Sequence, residues 1–307
     1  MTLKSRAIQF LNKLPYIRGL HKENSDFKKN AFFPAGHFYS PIISVDEIRQ
    51  RQDEIWDKAS VNGLEGINLF PEKQVALMNE LSKYYEGIPF TDDKQENLRY
   101  HFRNDYYTYT DGIILYCMLR HFQPKRIIEV GSGFSSALML DSNDLIFNKQ
   151  LDLTFIEPNT ARLDSLINEN DRKNIRIIPK KVQEVPLDYF KRLEPGDFLF
   201  IDSTHVVKTG SDVNHILFEI LPVLKPGVLI HFHDVFYPFE YPKDWVFQGW
   251  NWNEDYFLRA FLMYNSTFEV RLFAEYLHRH YPDVYQSMPL AYKNKGGNLW
   301  LEKKQMT

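Results

Sequence analysis

The chain has 307 residues, of which 44% are hydrophobic and 15% aromatic, so it can bury a sizeable core and is not disordered as a whole. Its formal net charge of -3 provides no bulk attraction for a nucleic-acid backbone, and we predict no nucleic-acid partner. A single cysteine, Cys117, excludes a disulfide framework or a thiolate metal cluster within one chain, which predicts a reducing, cytoplasmic location. No stretch has the uninterrupted apolar length of a membrane-spanning helix, so we predict no transmembrane segment.

Two regions of different texture follow each other along the chain. Residues 1–104 are irregular and rich in aromatic side chains, with helical patterns over 45–58 and 71–85. We predict that they form a helical or irregular extension that caps the substrate site. Residues 105–307 alternate short apolar runs with helical patterns, which is typical of a parallel sheet covered by helices.

The second region predicts an open, doubly wound α/β sheet. The predicted strands span 126–130, 153–156, 175–178, 198–201, 228–232, 268–272 and 298–302. The predicted helices between them span 135–140, 160–170 and 212–224. No regular crossover helix is apparent between the last two strands, so we expect the last strand to pair antiparallel with its predecessor.

The strand over 126–130 runs straight into a glycine turn and then a helix. Gly131 and Gly133 allow the backbone of this turn to approach a ligand closely. Glu157 closes the next strand, and a carboxylate at that point is placed to bind the hydroxyls of a ribose. The pattern predicts a nucleoside-binding crevice, although the dinucleotide fingerprint is nearly satisfied too and an ordinary tight turn has the same glycines.

Polar side chains follow the fourth and fifth predicted strands. Asp202 and His205 follow the fourth strand, and His233 and Asp234 stand at the end of the fifth. These strand ends share one edge of the sheet, so the four side chains are expected around one point, where they suit a divalent cation or proton transfer. Alternation along the fifth strand puts His231 and His233 on one face and Asp234 on the other until the strand ends, so some of these side chains are expected to be structural.

A loop dense in aromatic residues and proline lies between positions 235 and 252, directly after the fifth strand. Loops of this length and composition often form a lid or a wall of a substrate site. Aromatic clusters also serve simply to anchor a long connection, and both interpretations fit the sequence.

The segment from Glu129 to Gly133 has the form Glu-x-Gly-x-Gly and resembles the first motif of class I S-adenosylmethionine-dependent methyltransferases. The resemblance covers roughly residues 105–302 and implies a Rossmann-like fold of seven strands with an antiparallel last strand. It implies S-adenosylmethionine as the cofactor, with Glu157 accepting hydrogen bonds from both ribose hydroxyls. Gln183 is the candidate for the adenine contact. The cofactor-binding set implied by the resemblance is Glu129, Gly131, Ser132, Gly133, Glu157, Gln183 and Asp202.

The spacing of Asp202 and His205 is similar to that in the catechol-type O-methyltransferases. That likeness implies Asp202 and Asp234 as ligands of Mg²⁺ or another divalent cation. It implies His205 as the base, with His233 as the second catalytic candidate. The catechol-type pattern has asparagine after the second aspartate, whereas this chain has Val235, so the third ligand is missing unless a histidine supplies it. A closer likeness is to a bacterial family of class I methyltransferases with Asp-Ser-x-His and His-x-His-Asp motifs, matched here at 202–205 and 231–234.

These resemblances imply an enzyme that methylates an oxygen of a small or medium-sized acceptor. An NAD-dependent oxidoreductase fits the glycine turn and Glu157 as well. A non-catalytic binding module that keeps the methyltransferase fold is the second alternative, because a fold does not guarantee a function. A metal-dependent hydroxylase that uses the His/Asp cluster is the third, and a homo-oligomer is left open.

Overall fold

The computed structural model describes residues 10–11, 14–57 and 61–305. The chain divides into two compact units, the smaller formed by Met1–Ile55 with Lys243–Asn251 and the larger by Trp56–Pro242 with Trp252–Thr307. The division at residue 104 between a capping extension and a cofactor-binding domain stays a prediction. In the part of the chain that is described, no helix is long and apolar enough to span a membrane.

One mixed sheet of seven strands organises the larger unit, with the strand order β3-β2-β1-β4-β5-β7-β6. The first five strands pair in parallel, and β7 runs antiparallel to both of its neighbours, β5 and β6. The predicted α/β, Rossmann-like doubly wound sheet with an antiparallel last strand is therefore confirmed. The strands are β1 (Arg126–Val130), β2 (Asp152–Ile156), β3 (Arg176–Ile178), β4 (Phe198–Ile201), β5 (Leu229–His233), β6 (Phe268–Phe273) and β7 (Asn298–Lys303).

The α-helices given bounds among the described residues are α1 (Pro15–Asn30), α2 (Val45–Gln50), α3 (Gln52–Trp56), α4 (Pro71–Ser82), α5 (Tyr109–Phe122), α6 (Phe134–Leu145), α7 (Ala161–Leu166), α8 (Glu169–Asn174), α9 (Asp212–His215), α10 (Leu221–Val223), α11 (Lys243–Phe247), α12 (Glu254–Leu262) and α13 (Ala274–His280). A π-helical turn, Ile216–Ile220, joins α9 to α10. Short 3₁₀ helices include Val182–Glu184, which follows β3.

One prediction about helices is wrong. The single helix predicted over 160–170 is two helices, because the Asn168 side chain accepts hydrogen bonds from the backbone N–H groups of Asn170 and Asp171 and so begins α8 as its N-cap. The connection between β6 and β7 contains the short, seven-residue α13, which is not a crossover helix because the two strands are antiparallel neighbours. The predicted antiparallel pairing of β7 with β6 is confirmed.

The central strands of the sheet are buried on both faces, which explains why their sequences are nearly continuous apolar runs. Every residue of β4 is buried, and so is every residue of β5. In α5, the stretch from position 110 to 119 is buried without interruption, so this helix lies within the core and not on its surface. One group of polar side chains lies where the strands end, at the carboxyl edge of the sheet.

Candidate functional site

A cavity of about 360 Å³ opens at the carboxyl ends of β1, β2 and β4. Its lining includes Gly131 after β1, Glu157 after β2, Asp202 after β4, and Gln183 from the 3₁₀ helix that follows β3. Ligands of open parallel sheets bind at this edge. The structure thus brings four of the predicted cofactor-binding residues to one cavity, whereas Glu129, Ser132 and Gly133 are not part of its lining.

The glycine turn after β1 packs directly against the end of β4. Gly131 has a φ of +82°, and a Cβ at this position would lie 1.9 Å from the carbonyl oxygen of Asp202. Gly133 has an extended backbone, and a Cβ there would lie 3.0 Å from Cδ of Arg162. Only glycine at position 131 satisfies both the left-handed backbone and the close approach to the neighbouring strand.

Glu157 ties the end of β2 to the glycine turn. Its Oε2 accepts a hydrogen bond from the backbone N–H of Ser132 at 3.1 Å. Its Oε1 accepts one from the backbone N–H of Asn159 at 2.7 Å. The carboxylate is half-buried and lines the cavity, so its remaining lone pairs are available to a ligand.

Glu129 lies beneath the turn and is fully buried. Its carboxylate accepts hydrogen bonds from the Ser135 hydroxyl, at 2.7 Å, and from the Ser136 hydroxyl. Burial raises the pKa of Glu129 to about 8, although the hydroxyls act in the opposite direction. These hydrogen bonds join β1 to the first turn of α6 through the Glu129 side chain. Contact of Glu129 with a cofactor stays a prediction.

Gln183 presents an unpaired acceptor. Its Nε2 donates a hydrogen bond to the carbonyl oxygen of Gly210 at 2.9 Å, which fixes the orientation of the amide. Its Oε1 is buried and has no hydrogen-bond partner. A buried acceptor of this kind at a cavity wall fits a donor group on a ligand, because an unsatisfied buried acceptor is otherwise costly.

The polar side chains after β4 and β5 converge on one point, next to the cavity. Nε2 of His205 lies 3.4 Å from Oδ1 of Asp202 and 3.8 Å from Oδ2 of Asp234. Nε2 of His233 lies 3.6 Å from Oδ1 of Asp234. One ligand atom from each of Asp202, His205 and Asp234 lies within 4.8 Å of the others, which is the arrangement of a potential metal site.

Backbone conformation brings Asp234 and His205 to this point. Both residues have left-handed φ angles, +54° for Asp234 and +58° for His205. Such conformations are strained for residues other than glycine and are concentrated at functional sites. The turn at Asp234 also explains why strand alternation does not separate it from His233.

A residue that the sequence did not point to, Glu254, holds His205 in place. Nδ1 of His205 lies 2.8 Å from Oε2 of Glu254, and both side chains are buried. The Ser203 hydroxyl donates to the same carboxylate, at 3.1 and 3.0 Å. The His205 ring also packs on Trp252, with ring centroids 4.3 Å apart. Glu254 is 49 positions away in the chain, so no local motif could have paired it with His205.

Asp202, His205, His233 and Asp234 form the Asp/His group, and its histidines and carboxylates shift each other's pKa values. Burial lowers the pKa of His205, but hydrogen bonding to Asp202 and Glu254 outweighs burial and holds it well above 6.5. Burial also lowers the pKa of His233, and Asp234 and Asp202 again shift it above 6.5. Burial raises the pKa of Asp202, but His205 and His233 bring it below 3.8. The carboxylates of the site therefore stabilise a positive charge on its histidines.

Two further residues of this region are structural. His231 is fully buried, stacks on Phe200 at a centroid distance of 4.0 Å, and has a pKa that burial holds well below 6.5. Asp111 lies in the first turn of α5 and is buried. Its Oδ1 accepts hydrogen bonds from the N–H of Gly297 and the side-chain amide of Asn298, so it fastens α5 to the start of β7.

The first part of the aromatic loop is an anchor. Val235, Tyr237, Phe239 and Tyr241 are each at most 2% exposed. The backbone N–H of Tyr237 donates to the Glu275 carboxylate at 2.9 Å. At these four alternate positions the loop anchors a long connection and does not form a lid or a wall of the substrate site.

Comparison with known proteins assigns the family. The family described as a methyltransferase domain matches residues 128–235, which include most of β1, all of β2 to β5 and the polar groups that follow β4 and β5. An uncharacterised protein of Archaeoglobus fulgidus is 31% identical over 192 residues, which cover 61% of this chain and 84% of that protein. The chain belongs to the methyltransferase-domain family. The more specific likeness to a bacterial family with Asp-Ser-x-His and His-x-His-Asp motifs stays a prediction.

Solved methyltransferase structures align with this methyltransferase-domain chain at low identity. A methyltransferase of Podospora anserina bound to S-adenosylhomocysteine is 17% identical, with 83% of this chain and 96% of that chain covered and a TM-score of 0.41. The O-methyltransferase TomG of Streptomyces achromogenes, in complex with S-adenosylmethionine, is 13% identical, with coverage of 84% and 98% and a TM-score of 0.41.

Proposed function

We propose that the protein is an S-adenosylmethionine-dependent methyltransferase that methylates an oxygen of a small or medium-sized acceptor. The observation that supports this proposal most directly is the continuity of the site. One cavity extends from Glu157 and Gln183 to Asp202, and Asp202 belongs also to the Asp/His group. A donor bound in the cavity would thus have its reactive end beside side chains that can receive a proton.

The residues of the cavity fit the parts of S-adenosylmethionine in order. Glu157 offers free lone pairs to the ribose hydroxyls, and the unpaired Oε1 of Gln183 fits the adenine amino group. Gly131 lines the same cavity, where the amino-acid part would lie. The acidic side chain that often holds adenine is replaced here by an amide, which accepts the same hydrogen bond.

The protein does not have to activate the methyl group, because the sulfonium of S-adenosylmethionine already does so. The bond from the methyl carbon to sulfur breaks as the bond to the acceptor oxygen forms, and the hydroxyl proton must leave. His205 and His233 are the candidates to receive that proton. Alignment of donor and acceptor by the walls of the site provides the remainder of the rate enhancement.

A divalent cation, Mg²⁺ or another, is part of the proposal. Asp202 and Asp234 would hold it, and their carboxylate oxygens are the ligands that hard cations prefer. A bound cation lowers the pKa of a coordinated hydroxyl and so assists loss of the proton. The left-handed turn at Asp234, which aims its carboxylate at this point, supports this role.

The test is calorimetric titration of the purified protein with S-adenosylhomocysteine and, separately, with NAD. We expect binding of S-adenosylhomocysteine and none of NAD, and the reverse result would favour the NAD-dependent oxidoreductase. Mass spectrometry of small hydroxylated acceptors incubated with protein and S-adenosylmethionine would then test for a gained methyl group. A non-catalytic binding module would keep its biological role in the Glu157→Ala variant, whereas an enzyme would lose it together with cofactor affinity.

A further inference from the structure

We propose that His205 is the third ligand of the cation site, that Glu254 is its positioning residue, and that the site prefers a first-row transition-metal ion such as Mn²⁺ to Mg²⁺. This inference deepens the proposed function by assigning the cation, and it leaves His233 as the side chain that receives the acceptor proton. It also supplies the ligand that Val235 cannot provide.

The spacing of the atoms supports coordination by His205. Ligand atoms about 2.1 Å from one ion, in tetrahedral or octahedral geometry, lie about 3 to 3.5 Å from each other. Nε2 of His205 lies 3.4 Å from one oxygen of Asp202 and 3.8 Å from one oxygen of Asp234. The two carboxylates therefore approach the imidazole nitrogen at nearly the separation that a shared cation requires.

Glu254 determines which nitrogen of His205 faces the site. Its carboxylate is 1% exposed and bonds Nδ1, so Nδ1 carries a proton and Nε2 is the nitrogen that faces the two aspartates. A cation bound there would replace the proton that the aspartates favour on Nε2 in its absence. A histidine that ligates a metal commonly donates its other N–H to a carboxylate in this way. Ser203 keeps the Glu254 carboxylate in place by donating to both oxygens.

The backbone of the same segment completes the support of His205. The N–H groups of Asn253 and Glu254 donate to the carbonyl oxygen of His205, at 3.0 and 3.2 Å. The left-handed backbone of His205 is thus held by the start of α12, which also supplies the carboxylate on Nδ1. A general base must be accessible to its substrate, whereas a metal ligand must be held in a fixed orientation. The contacts of His205 fix its orientation.

The ligand set determines the preferred ion. Carboxylates alone suit Mg²⁺ and Ca²⁺, but an imidazole nitrogen shifts the preference towards first-row transition metals. One imidazole and two carboxylates on one edge of the site leave coordination positions open for an acceptor oxygen. We therefore expect Mn²⁺ to bind on the order of tenfold tighter than Mg²⁺.

The first experiment uses the full wild-type chain and needs no variant. Protein freed of metal by chelation is titrated with MnCl₂ and with MgCl₂ in a calorimeter, and the Mn²⁺ complex is examined by electron spin echo envelope modulation. We expect tighter binding of Mn²⁺ and modulation from a directly coordinated nitrogen. Binding without a nitrogen signal, or equal affinity for the two ions, would overturn the assignment of His205.

The second experiment compares Glu254→Gln with Glu269→Gln, a buried carboxylate on β6 that pairs with Lys73. Loss of an outer-shell carboxylate typically costs about 10- to 100-fold in metal affinity, and we expect a loss of that size for Mn²⁺ only in Glu254→Gln. Unchanged affinity in Glu254→Gln would refute its positioning role. If S-adenosylhomocysteine binds but neither ion does, this inference and the cation of the proposed function fail, while the assignment as an S-adenosylmethionine-dependent methyltransferase stands. Failure of both ligands would count against that assignment too.

Discussion

A Cβ atom on Gly131 would lie 1.9 Å from the carbonyl oxygen of Asp202. This contact joins the turn that follows β1 to the end of β4, and it sets the floor of the cavity. The Cβ would be fixed to the backbone of Gly131, and the oxygen belongs to the backbone of Asp202, so neither atom can move aside as the end of a flexible side chain would.

We expect Gly131→Ala to lower the free energy of unfolding by roughly 2 to 4 kcal/mol, because it adds overpacking to the strain of a left-handed alanine. Binding of S-adenosylhomocysteine should also be lost, since the turn must shift. Gly196→Ala is the matched control: its φ is +88°, but nothing lies within 4 Å of the added atom. That variant should cost only about 1 kcal/mol in urea unfolding. Equal costs in the two variants would contradict the role of the contact with Asp202.

Glu157→Gln should weaken binding of S-adenosylhomocysteine by roughly 10- to 100-fold, because hydrogen bonds to a charged carboxylate contribute about 1.5 to 3 kcal/mol. The measurement is calorimetric titration of the variant and the wild type at one pH and salt concentration. Glu194→Gln is the control, since Glu194 is exposed and precedes β4 at the opposite edge of the sheet. An affinity for S-adenosylhomocysteine that does not change in Glu157→Gln would exclude the proposed ribose contact.

Gln183→Leu should reduce the discrimination between an adenine and a hypoxanthine ring. In the wild type, Oε1 would accept a hydrogen bond from the adenine amino group, which the hypoxanthine analogue S-inosylhomocysteine lacks. We expect the wild type to prefer S-adenosylhomocysteine by about 1 to 3 kcal/mol and the leucine variant to lose most of that preference. The comparison of two ligands in two proteins cancels general effects on folding. A preference that persists in the variant would assign adenine recognition to other groups.

Glu129 should make the stability of the ligand-free protein fall as the pH rises. Its pKa is raised from 4.5 to about 8 by burial, so folding takes up a proton between these values. The stabilising effect is complete below about 4.5 and is lost as the pH rises through 8. Urea unfolding of the wild type and of Glu129→Gln from pH 5.5 to 9 measures this effect as the change in their difference, with a slope of at most about 1.4 kcal/mol per pH unit.

The control for the pH experiment is Glu269→Gln. Burial raises the pKa of Glu269, but Lys73 and Arg271 outweigh burial and bring the pKa below 4.5. The stability that the ionised Glu269 carboxylate contributes is therefore lost only as the pH falls below about 4.5. The difference between this variant and the wild type should be flat from pH 5.5 to 9. A flat difference for Glu129→Gln as well would mean that its carboxyl ionises as freely in the folded as in the unfolded protein.

The sequence by itself determined the seven strands, the antiparallel β7 and the glycine turn, because strand periodicity and turn chemistry are properties of neighbouring residues. It also indicated that Asp202, His205, His233 and Asp234 would meet, since ends of parallel strands share an edge. It did not indicate that α8 begins as a separate helix at Asn168, because the local cap competed with a helical pattern that continued through it.

Apart from the meeting of these four side chains, only the tertiary structure decided which polar groups face one another. Glu254 bonds His205 across 49 positions, and Asp111 bonds Asn298 across 187. It also separated His231, which is enclosed in the core, from His233, which lies beside Asp234. Such contacts depend on the packing of whole helices against the sheet, and on backbone turns at single residues, so they leave no periodic signal in the sequence.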